Sequence, residues 1–578
     1  MLEILITLII AFILALIFGN YLYKIASCKK TIFDFIFNPI DNLIYKICAI
    51  DRKNMTWQKY SLHLIAFNAL VAIFSFVIFY LQDKLFIPIR ILGDLNLNTV
   101  ISFITNTNLQ HYSGENALSL LSQNTGILLA MFVSSASGYS ACMAFCRALC
   151  SMQMGNFYED FTRIITRLML PLSFILAVIF ISEGVVNYHA NFSVLTLENK
   201  FQSIATGPVA ALESIKHLGT NGGGFFGTNS SMPFENPTLL TNFLQILSMM
   251  LIPSACVVAF GLMVYHRKEI QGFALMGKEE KGGGVIFGAM GIIFIISLLL
   301  IYFSEKMSNP NLDSLGLNAN LGNLEGKEIR FGTDGSSLFS AVTTAFTTGS
   351  VNNMHDSLNP LSISATLLNM MLNVAFGGEG VGLMNMIIYV LLTVFICALM
   401  IGRTPEFLGK KIESAQMKLI ALVILIHPLL ILVLSALAVV FAKDSISNPS
   451  FHGLAQILYE FSSSAANNGS GLEGLKDDNL FWNLSTAFAM FCGRYLVLIA
   501  QLAIAGSLLA KNTQENTANS LKTDNLTFMF VLVCIIYIFA ALTFFQCLLY
   551  QALQNIYLYG IKESQCLKNK INSLQKKF

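Results

Sequence analysis

The sequence predicts an all-α integral membrane protein of about ten transmembrane helices, with four pseudo-symmetric helix–pore-loop–helix repeats around a single pore. Three observations predict this. Apolar residue types make up 55% of the 578 residues and charged ones only 12%, too few charges to solvate a soluble fold of this length. Apolar runs of the roughly 20 residues that cross a bilayer recur along the chain. Between them, polar turns rich in Thr, Asn and Gly recur at spacings of about 115 to 128 residues, which marks an internal repeat. A net charge of +2 argues against nucleic acid as a partner and leaves membrane lipid as the expected surrounding.

The chain opens on Met1-Leu2-Glu3 and stays apolar to about Phe18. With no basic segment before it and no small-residue cleavage site, this reads as a retained helix rather than a signal peptide. Spans are expected near 3–23, 60–82, 120–146, 166–188, 240–265, 284–304, 364–400, 418–442, 482–509 and 526–548. The seventh is interrupted by Phe376-Gly377-Gly378-Glu379-Gly380-Val381-Gly382, so a broken helix or two shorter pieces is expected there. Of the eleven cysteines none forms a Cys-x-x-Cys pair. Cys142, Cys146 and Cys150 recur every four residues on one helix face, where small apolar packing is expected ahead of a soft-metal site.

Basic loops orient the chain. Lys24, Lys29, Lys30, Lys46, Arg52 and Lys53 lie in 24–57, Arg267, Lys268, Lys278 and Lys281 in 266–281, and Arg403, Lys410, Lys411 and Lys418 in 403–418. All three loops fall on one side, expected to be cytoplasmic, which leaves the N-terminus outside. The alternate loops carry more acid, including Asp94, Glu115, Glu198, Asp334, Glu473, Asp477 and Asp478. The expected division is a leading helix and cytoplasmic loop at 1–57, repeats at 58–150, 151–281, 282–416 (with the broken helix) and 417–511, and a closing helix with a basic tail at 512–578.

Each outer loop holds a segment too short to span, followed by a polar turn. The turns are Thr105-Asn106-Thr107-Asn108, Thr220-Asn221-Gly222-Gly223-Gly224, Thr347-Thr348-Gly349-Ser350 and Asn467-Asn468-Gly469. Bare backbone at membrane depth is tolerated only inside protein or along a water-filled path. Four such turns around one axis therefore predict a carbonyl-lined ion filter. Neutral backbone, Thr and Asn oxygens suit a weakly hydrated cation such as K⁺, and half-helices aiming their C-terminal ends at the pore favour a cation too. Glu115 and Asp356 at the mouth are candidates for concentrating cations, with a helix-cap role as the plainer alternative. Two features at membrane depth suggest gating. Arg494 is an intramembrane charge, either a positive barrier or half of a structural ion pair. The break at Gly377, Gly378 and Glu379 is either a movable constriction or a packing kink.

Longer stretches carry a family resemblance. Leu218-Gly219-Thr220-Asn221-Gly222-Gly223-Gly224-Phe225-Phe226 with Pro233-Phe234-Glu235-Asn236-Pro237-Thr238 resembles the potassium-translocating A subunits of Kdp potassium-transporting ATPases. So do Thr105 to Gln110 with Tyr112-Ser113-Gly114-Glu115, Val351 to Ser357, Ile401 to Lys411, and Ala505-Gly506-Ser507-Leu508. The resemblance covers about residues 1 to 548. It implies a bacterial inner-membrane, multi-pass subunit of the potassium-transporter superfamily that selects K⁺ and hydrolyses no ATP. The implied partners are the B, C and small F subunits of the Kdp complex. ATP and Mg²⁺ would be used only by the first of these, a P-type ATPase. The chain has no Asp-Lys-Thr-Gly phosphorylation motif and no Walker A motif, in keeping with that implication. The resemblance also implies roles in ion selection and conduction for Gln110, the filter glycines and Arg494.

The chain departs from the family pattern at several points. Asn373 stands where a carboxylate is usual and Glu379 where an apolar residue is usual, so a carboxylate is expected to have changed place within one network. Thr347-Thr348 replaces a Ser-Cys pair. A tail after about Leu549 carries Lys562, Lys568, Lys570, Lys576 and Lys577, which conflicts with its expected outside location. The nearest rival function is a stand-alone K⁺ or Na⁺ transporter of the same superfamily, which the motifs outside the turns disfavour. A proton-coupled solute carrier predicts inverted halves with paired broken helices, which the same-side fourfold repeat disfavours. A purely structural anchor needs no carbonyl-rich turns.

Overall fold

The computed structural model describes residues 1–85, 93–188, 191–265, 284–309, 315–316, 321–448, 451–512 and 521–544. Ten helices among them are long and apolar enough to cross a membrane: Leu2–Ala26, Trp57–Lys84, Ser122–Leu149, Phe157–Ser182, Leu239–Tyr265, Gly284–Lys306, Gly378–Met400, Ser414–Phe441, Leu480–Leu509 and Leu526–Phe544. The basic loop 266–281 and the basic tail after Leu549 lie outside the described residues.

One span differs from expectation. The fourth begins at Phe157 rather than near 166. Glu159, Asp160, Arg163 and Arg167 interrupt the apolar run, but each charge meets a partner from another segment. Arg147 takes Asp160, Arg52 takes Glu159, and Asp34 and Asp41 share Arg167, while Arg163 donates to the carbonyls of Ile25 and Lys29. Paired charges no longer forbid the helix. The seventh span is two pieces, Pro360–Leu372 and Gly378–Met400, because Asn373 and Phe376 both turn left-handed (φ 47° and 57°). Two short antiparallel hairpins also depart from a strictly all-α chain. In one, Phe192–Leu195 pairs with Phe201–Ile204, and in the other Glu406–Phe407 pairs with Lys410–Lys411.

The third and fifth spans are almost wholly enclosed, whereas the first, second, eighth and tenth turn most of their surface outward. The first span lies along the fifth. Thr7, Ala11, Ala15 and Gly19 repeat every fourth residue on its buried face, and a Cβ added at Gly19 would collide with Val258 and lie 3.3 Å from the Ala255 carbonyl. Small residues at this spacing let two apolar helices approach where no hydrophobic drive exists between them. Cys142 and Cys146 are buried in the third span and Cys150 is buried at its C-terminal cap, and Cys142 occupies the space a side chain at Gly380 would need.

Four of the short helices outside the spans lead into the polar turns: Gly93–Ile104, Val209–Leu218, Gly332–Ala345 and Phe451–Ala466. Each is buried near its C-terminal end and stops at one of the four polar turns.

One buried ion pair ties four spans together. Arg147 Nη1 donates to Asp160 Oδ1 (2.9 Å) and to the Ala26 carbonyl (2.8 Å), while the Tyr60 hydroxyl donates to Asp160 Oδ2 (2.9 Å). Removing one member of such a pair strands the other charge, at about 3–5 kcal/mol. Asp160→Ala is therefore expected to lower the thermal unfolding midpoint of the detergent-purified protein sharply, and an unchanged midpoint would contradict this account.

Candidate functional site

The four turns are one structure repeated. In each, a residue with left-handed φ ends the short helix: Asn106 (64°), Thr220 (49°), Thr347 (45°) and Asn467 (56°). Two residues later a second positive φ follows, at Asn108 (52°), Gly222 (92°), Gly349 (90°) and Gly469 (103°). The residue between them sends its N–H back to the helix. Thr107 donates to the Ser102 carbonyl (2.9 Å), Asn221 to Lys216 (2.8 Å), Thr348 to Thr343 (2.9 Å) and Asn468 to Ser463 (2.9 Å). This is the left-handed helix ending that satisfies the last helical carbonyls. Threonine is a β-branched residue that rarely adopts positive φ, so Thr220 and Thr347 hold strain of about 1–3 kcal/mol each. By this equivalence Thr105 matches Gly219 in the second unit.

With the N–H groups turned back, the carbonyls are left over. Among the described residues, those of Thr107, Asn221, Thr348 and Asn468 accept no hydrogen bond. The turns close into a ring in chain order. A Cβ added at Gly222 would strike the Thr348 carbonyl oxygen, one at Gly349 the Asn468 carbonyl, and one at Gly469 the Thr107 carbonyl. At Gly223 it would lie 2.6 Å from the Asn108 carbonyl oxygen, completing the circuit. Glycine is required at Gly222, Gly349 and Gly469 both by φ and by the approach of the neighbouring turn's backbone, and at Gly223 by that approach alone. Side chains brace the joints. Asn106 Nδ2 donates to the Gly219 and Thr220 carbonyls (3.0 Å each), Asn467 Nδ2 to Thr107 Oγ1 (2.9 Å), and Asn468 Nδ2 to the Thr343 carbonyl (2.9 Å). The Asn108 side-chain amide and Thr348 Oγ1 are buried without a partner. Spare buried oxygens in a ring of spare carbonyls form a site for a cation stripped of its water.

Gln110 and Gly224 stand just outside the ring and bind each other. Gln110 Nε2 donates to the Gly224 carbonyl (3.1 Å) and Gly224 N donates to Gln110 Oε1 (3.0 Å). Glu115 and Asp356, the candidates for concentrating cations, fasten loops, closer to their plainer alternative. Glu115 accepts from Gly227 N (2.9 Å), and Asp356 is bonded by His452 (2.8 Å), Gln456 (2.9 Å) and Asn448 (3.3 Å). Burial works to raise the Asp356 carboxyl, but those partners, His452 first, hold it below the usual carboxylate range. His355 is buried with Nδ1 2.8 Å from the Tyr459 hydroxyl.

The break in the seventh span touches the ring directly. Gly378 N donates to Thr347 Oγ1 (2.6 Å), so the third turn and the break share a hydrogen bond. Glu379 has a left-handed backbone (φ 56°) and its carboxylate is ion-paired with Arg494. Arg494 sits in a π-turn, Cys492–Leu496, a helix irregularity that often marks functional positions. Both side chains are nearly sealed from solvent, and Gly138 leaves the space in which they meet. Arg494 is thus compensated and not a bare positive charge. Asn373 does not join that pair, and its Nδ2 approaches the Ala466 carbonyl (3.4 Å). Glu379 pairs with Arg494, while Asn373 caps the preceding helix. Asn373, Asn467, Gln501 and Arg494 line a cavity of about 60 Å³.

Several residues at the ring escaped the sequence reading. Ser134 and Ser135 of the third span donate to Asn106 Oδ1 (2.7 and 2.9 Å), and Asn229 Nδ2 to the Gly222 carbonyl (2.9 Å). Lys216 is wholly buried between Glu213 (3.1 Å) and Glu235 (2.7 Å), and Glu235 also accepts from Phe226 N (2.9 Å). Three charges within the re-entrant segment and its return loop are a readable signal, because charges at that depth need a reason.

Known proteins share the sequence over nearly its whole length. A family profile described as "Potassium-transporting ATPase A subunit" matches residues 5–556. The potassium-transporting ATPase potassium-binding subunit of Staphylococcus haemolyticus is 49% identical over 551 residues, 94% of this chain and 97% of that one. The subunit of the same name from Clostridium acetobutylicum is 49% identical over 552 residues, with the same coverage. Among solved structures, the crystal structure of the potassium transporter TrkH from Vibrio parahaemolyticus superposes with a TM-score of 0.49 at 13% identity, over 85% of this chain and 96% of that one. By the profile and the two relatives from Staphylococcus and Clostridium, this chain belongs to the potassium-transporting ATPase A subunit family.

Proposed function

We propose that this chain is the K⁺-binding and K⁺-translocating subunit of an ATP-driven, high-affinity potassium uptake complex. It takes K⁺ from outside through the ring of four turns and passes it to a P-type ATPase partner. The observation that carries this reading is the set of carbonyls from Thr107, Asn221, Thr348 and Asn468 that accept no hydrogen bond. An ion entering them exchanges water oxygens for neutral protein oxygens, which suits the weakly hydrated K⁺. The negative ends of four helices point at the same place and favour a cation over an anion. The selecting residues on this reading are Thr105–Asn108, Gln110, Thr220–Gly224, Thr347–Ser350 and Asn467–Gly469.

Arg494, Gly377, Gly378 and Glu379 then form the gate. The Glu379–Arg494 pair fixes the break, and the break holds the third turn through Gly378 and Thr347. The family supports a multi-subunit complex. We assign the B, C and F subunits of the Kdp complex as partners, with ATP and Mg²⁺ used by the P-type ATPase among them. The assembly sits in the bacterial inner membrane, with the loops 24–57 and 403–418 facing the cytoplasm. The repeat boundaries near 58, 151, 282 and 417 follow the same reading.

Three outcomes test it. K⁺-stimulated ATP hydrolysis by the purified complex should require more K⁺, or accept other cations, when the chain carries Gly223→Asp. The added carboxylate meets the Asn108 carbonyl and Gln110 Oε1 (2.6 and 3.0 Å from the new Cβ). An unchanged K⁺ response in an intact complex would place selection elsewhere, and K⁺ conduction with no ATPase partner bound would favour the stand-alone transporter. Gln110→Leu removes two hydrogen bonds of about 0.5–1.5 kcal/mol each and should weaken apparent K⁺ affinity by up to about tenfold per bond, read from the same assay. Glu379→Gln and Arg494→Gln should each impair transport strongly, and the double variant should lose much less than the two losses added together. A purely additive double-mutant cycle would dissociate the pair from gating.

A further inference from the structure

Where the first and fourth units meet at the outer loops, an imidazole faces two carboxylates that the reading above does not use. His111 follows Gln110 by one residue, Glu460 lies in the fourth short helix, and Asp477 lies in the loop after the fourth turn. His111 Nε2 is 3.2 Å from Glu460 Oε1 and 4.0 Å from Asp477 Oδ2, and the three ligand atoms lie within 4.8 Å of one another. Among the described residues this is the one group of three or more His, Cys, Asp or Glu side chains so arranged.

The imidazole's orientation is set from behind. Asn483 Nδ2 donates to Asp94 Oδ2 (3.0 Å), which fixes the amide so that its oxygen faces His111 Nδ1 at 2.7 Å. Nδ1 must therefore carry the proton, and in the neutral ring Nε2 presents its lone pair to the two carboxylates. An outer hydrogen bond of this kind is what holds metal-binding histidines in one tautomer. With bonds of about 2.0–2.1 Å, a tetrahedral zinc-type site separates its ligand atoms by about 3.3 Å. The His111–Glu460 distance already fits. Asp477, whose side chain is 29% exposed, needs to move by several tenths of an ångström and opens the site to solvent.

Comparison with the second unit sharpens the point. Glu213 stands seven residues before Thr220 as Glu460 stands seven before Asn467. Glu213 has a buried lysine, Lys216, as its fixed cation. At the matching place in the fourth unit stands Ser463. Two carboxylates there face one imidazole, with Asp478 adding further negative charge. A divalent cation would balance Glu460 and Asp477 with His111 neutral.

We propose that His111, Glu460 and Asp477 bind a borderline divalent transition-metal cation of the zinc type from the outer side, with water as the fourth ligand. Binding there is independent of which ion passes the ring, so it stands or falls separately from the transport reading.

The test uses the intact purified complex in a Cys28→Ser, Cys48→Ser and Cys534→Ser background, which removes the thiols that are exposed among the described residues as competing ligands. Zn²⁺ affinity and stoichiometry are measured by calorimetry, and Co²⁺ serves as a spectroscopic probe. One high-affinity site per chain with the intense visible bands of tetrahedral Co²⁺ is expected. His111→Gln and Asp477→Asn should each weaken Zn²⁺ binding at least tenfold and abolish those bands. Should His111→Gln fail to assemble, the partly exposed Asp477→Asn decides alone. Failure of the native complex to bind Zn²⁺, or equal affinity in the variants, would overturn the proposal and leave the cluster a structural ion pair.

Discussion

A carbonyl oxygen that is to hold a dehydrated cation must not already hold a proton donor. That single constraint orders the centre of this molecule. Four buried helices end in left-handed residues, and those endings draw the turn N–H groups back into the helices. What remains at the meeting point is oxygen. Elsewhere in a membrane protein such unpaired backbone is excluded, so the surrounding spans serve to enclose it. The third, whose Ser134 and Ser135 bond the first turn, and the fifth are the most buried.

The ring is rigid because neighbouring turns occupy each other's space. No room for a Cβ remains at Gly222, Gly349 or Gly469, and Asn106, Asn467 and Asn468 bond across the joints. Its quarters are nevertheless unequal. The first has Asn108 where the others have glycine, the second is backed by Lys216 between two glutamates, and the third is bonded to the break in the seventh span. A single chain can vary each quarter separately, which a ring of four identical chains cannot do.

Much of this was legible in the sequence. Ten apolar runs foretold ten spans, and Thr, Asn and Gly clusters at regular spacing foretold four equivalent turns. Those signals are local, carried by composition and by the conformations glycine and asparagine permit. The fourth span's true start was hidden, because four charged residues read as an interruption until their partners from other segments were known. For the same reason Arg494 and Glu379 were each visible as anomalies while their pairing was not. They are 115 residues apart, and nothing local links them. The partners of Glu115 and Asp356 were hidden likewise, since an acidic residue in a loop looks the same whether it faces water or holds a hydrogen-bond donor.

The pairing of Arg494 alters what the gate can be on the proposed reading. A bare guanidinium beside a cation path would repel K⁺ with an energy that grows as the local dielectric falls. Bound to Glu379, the same side chain contributes little net charge and acts as a strut. It can then yield repulsion only if the pair separates. Separation moves Glu379, whose backbone neighbour Gly378 is bonded to Thr347 in the ring. Ion occupancy in the third turn and the state of the Arg494 charge are therefore joined by one short path through Thr347, Gly378 and Glu379, so a shift at either end has a direct mechanical route to the other.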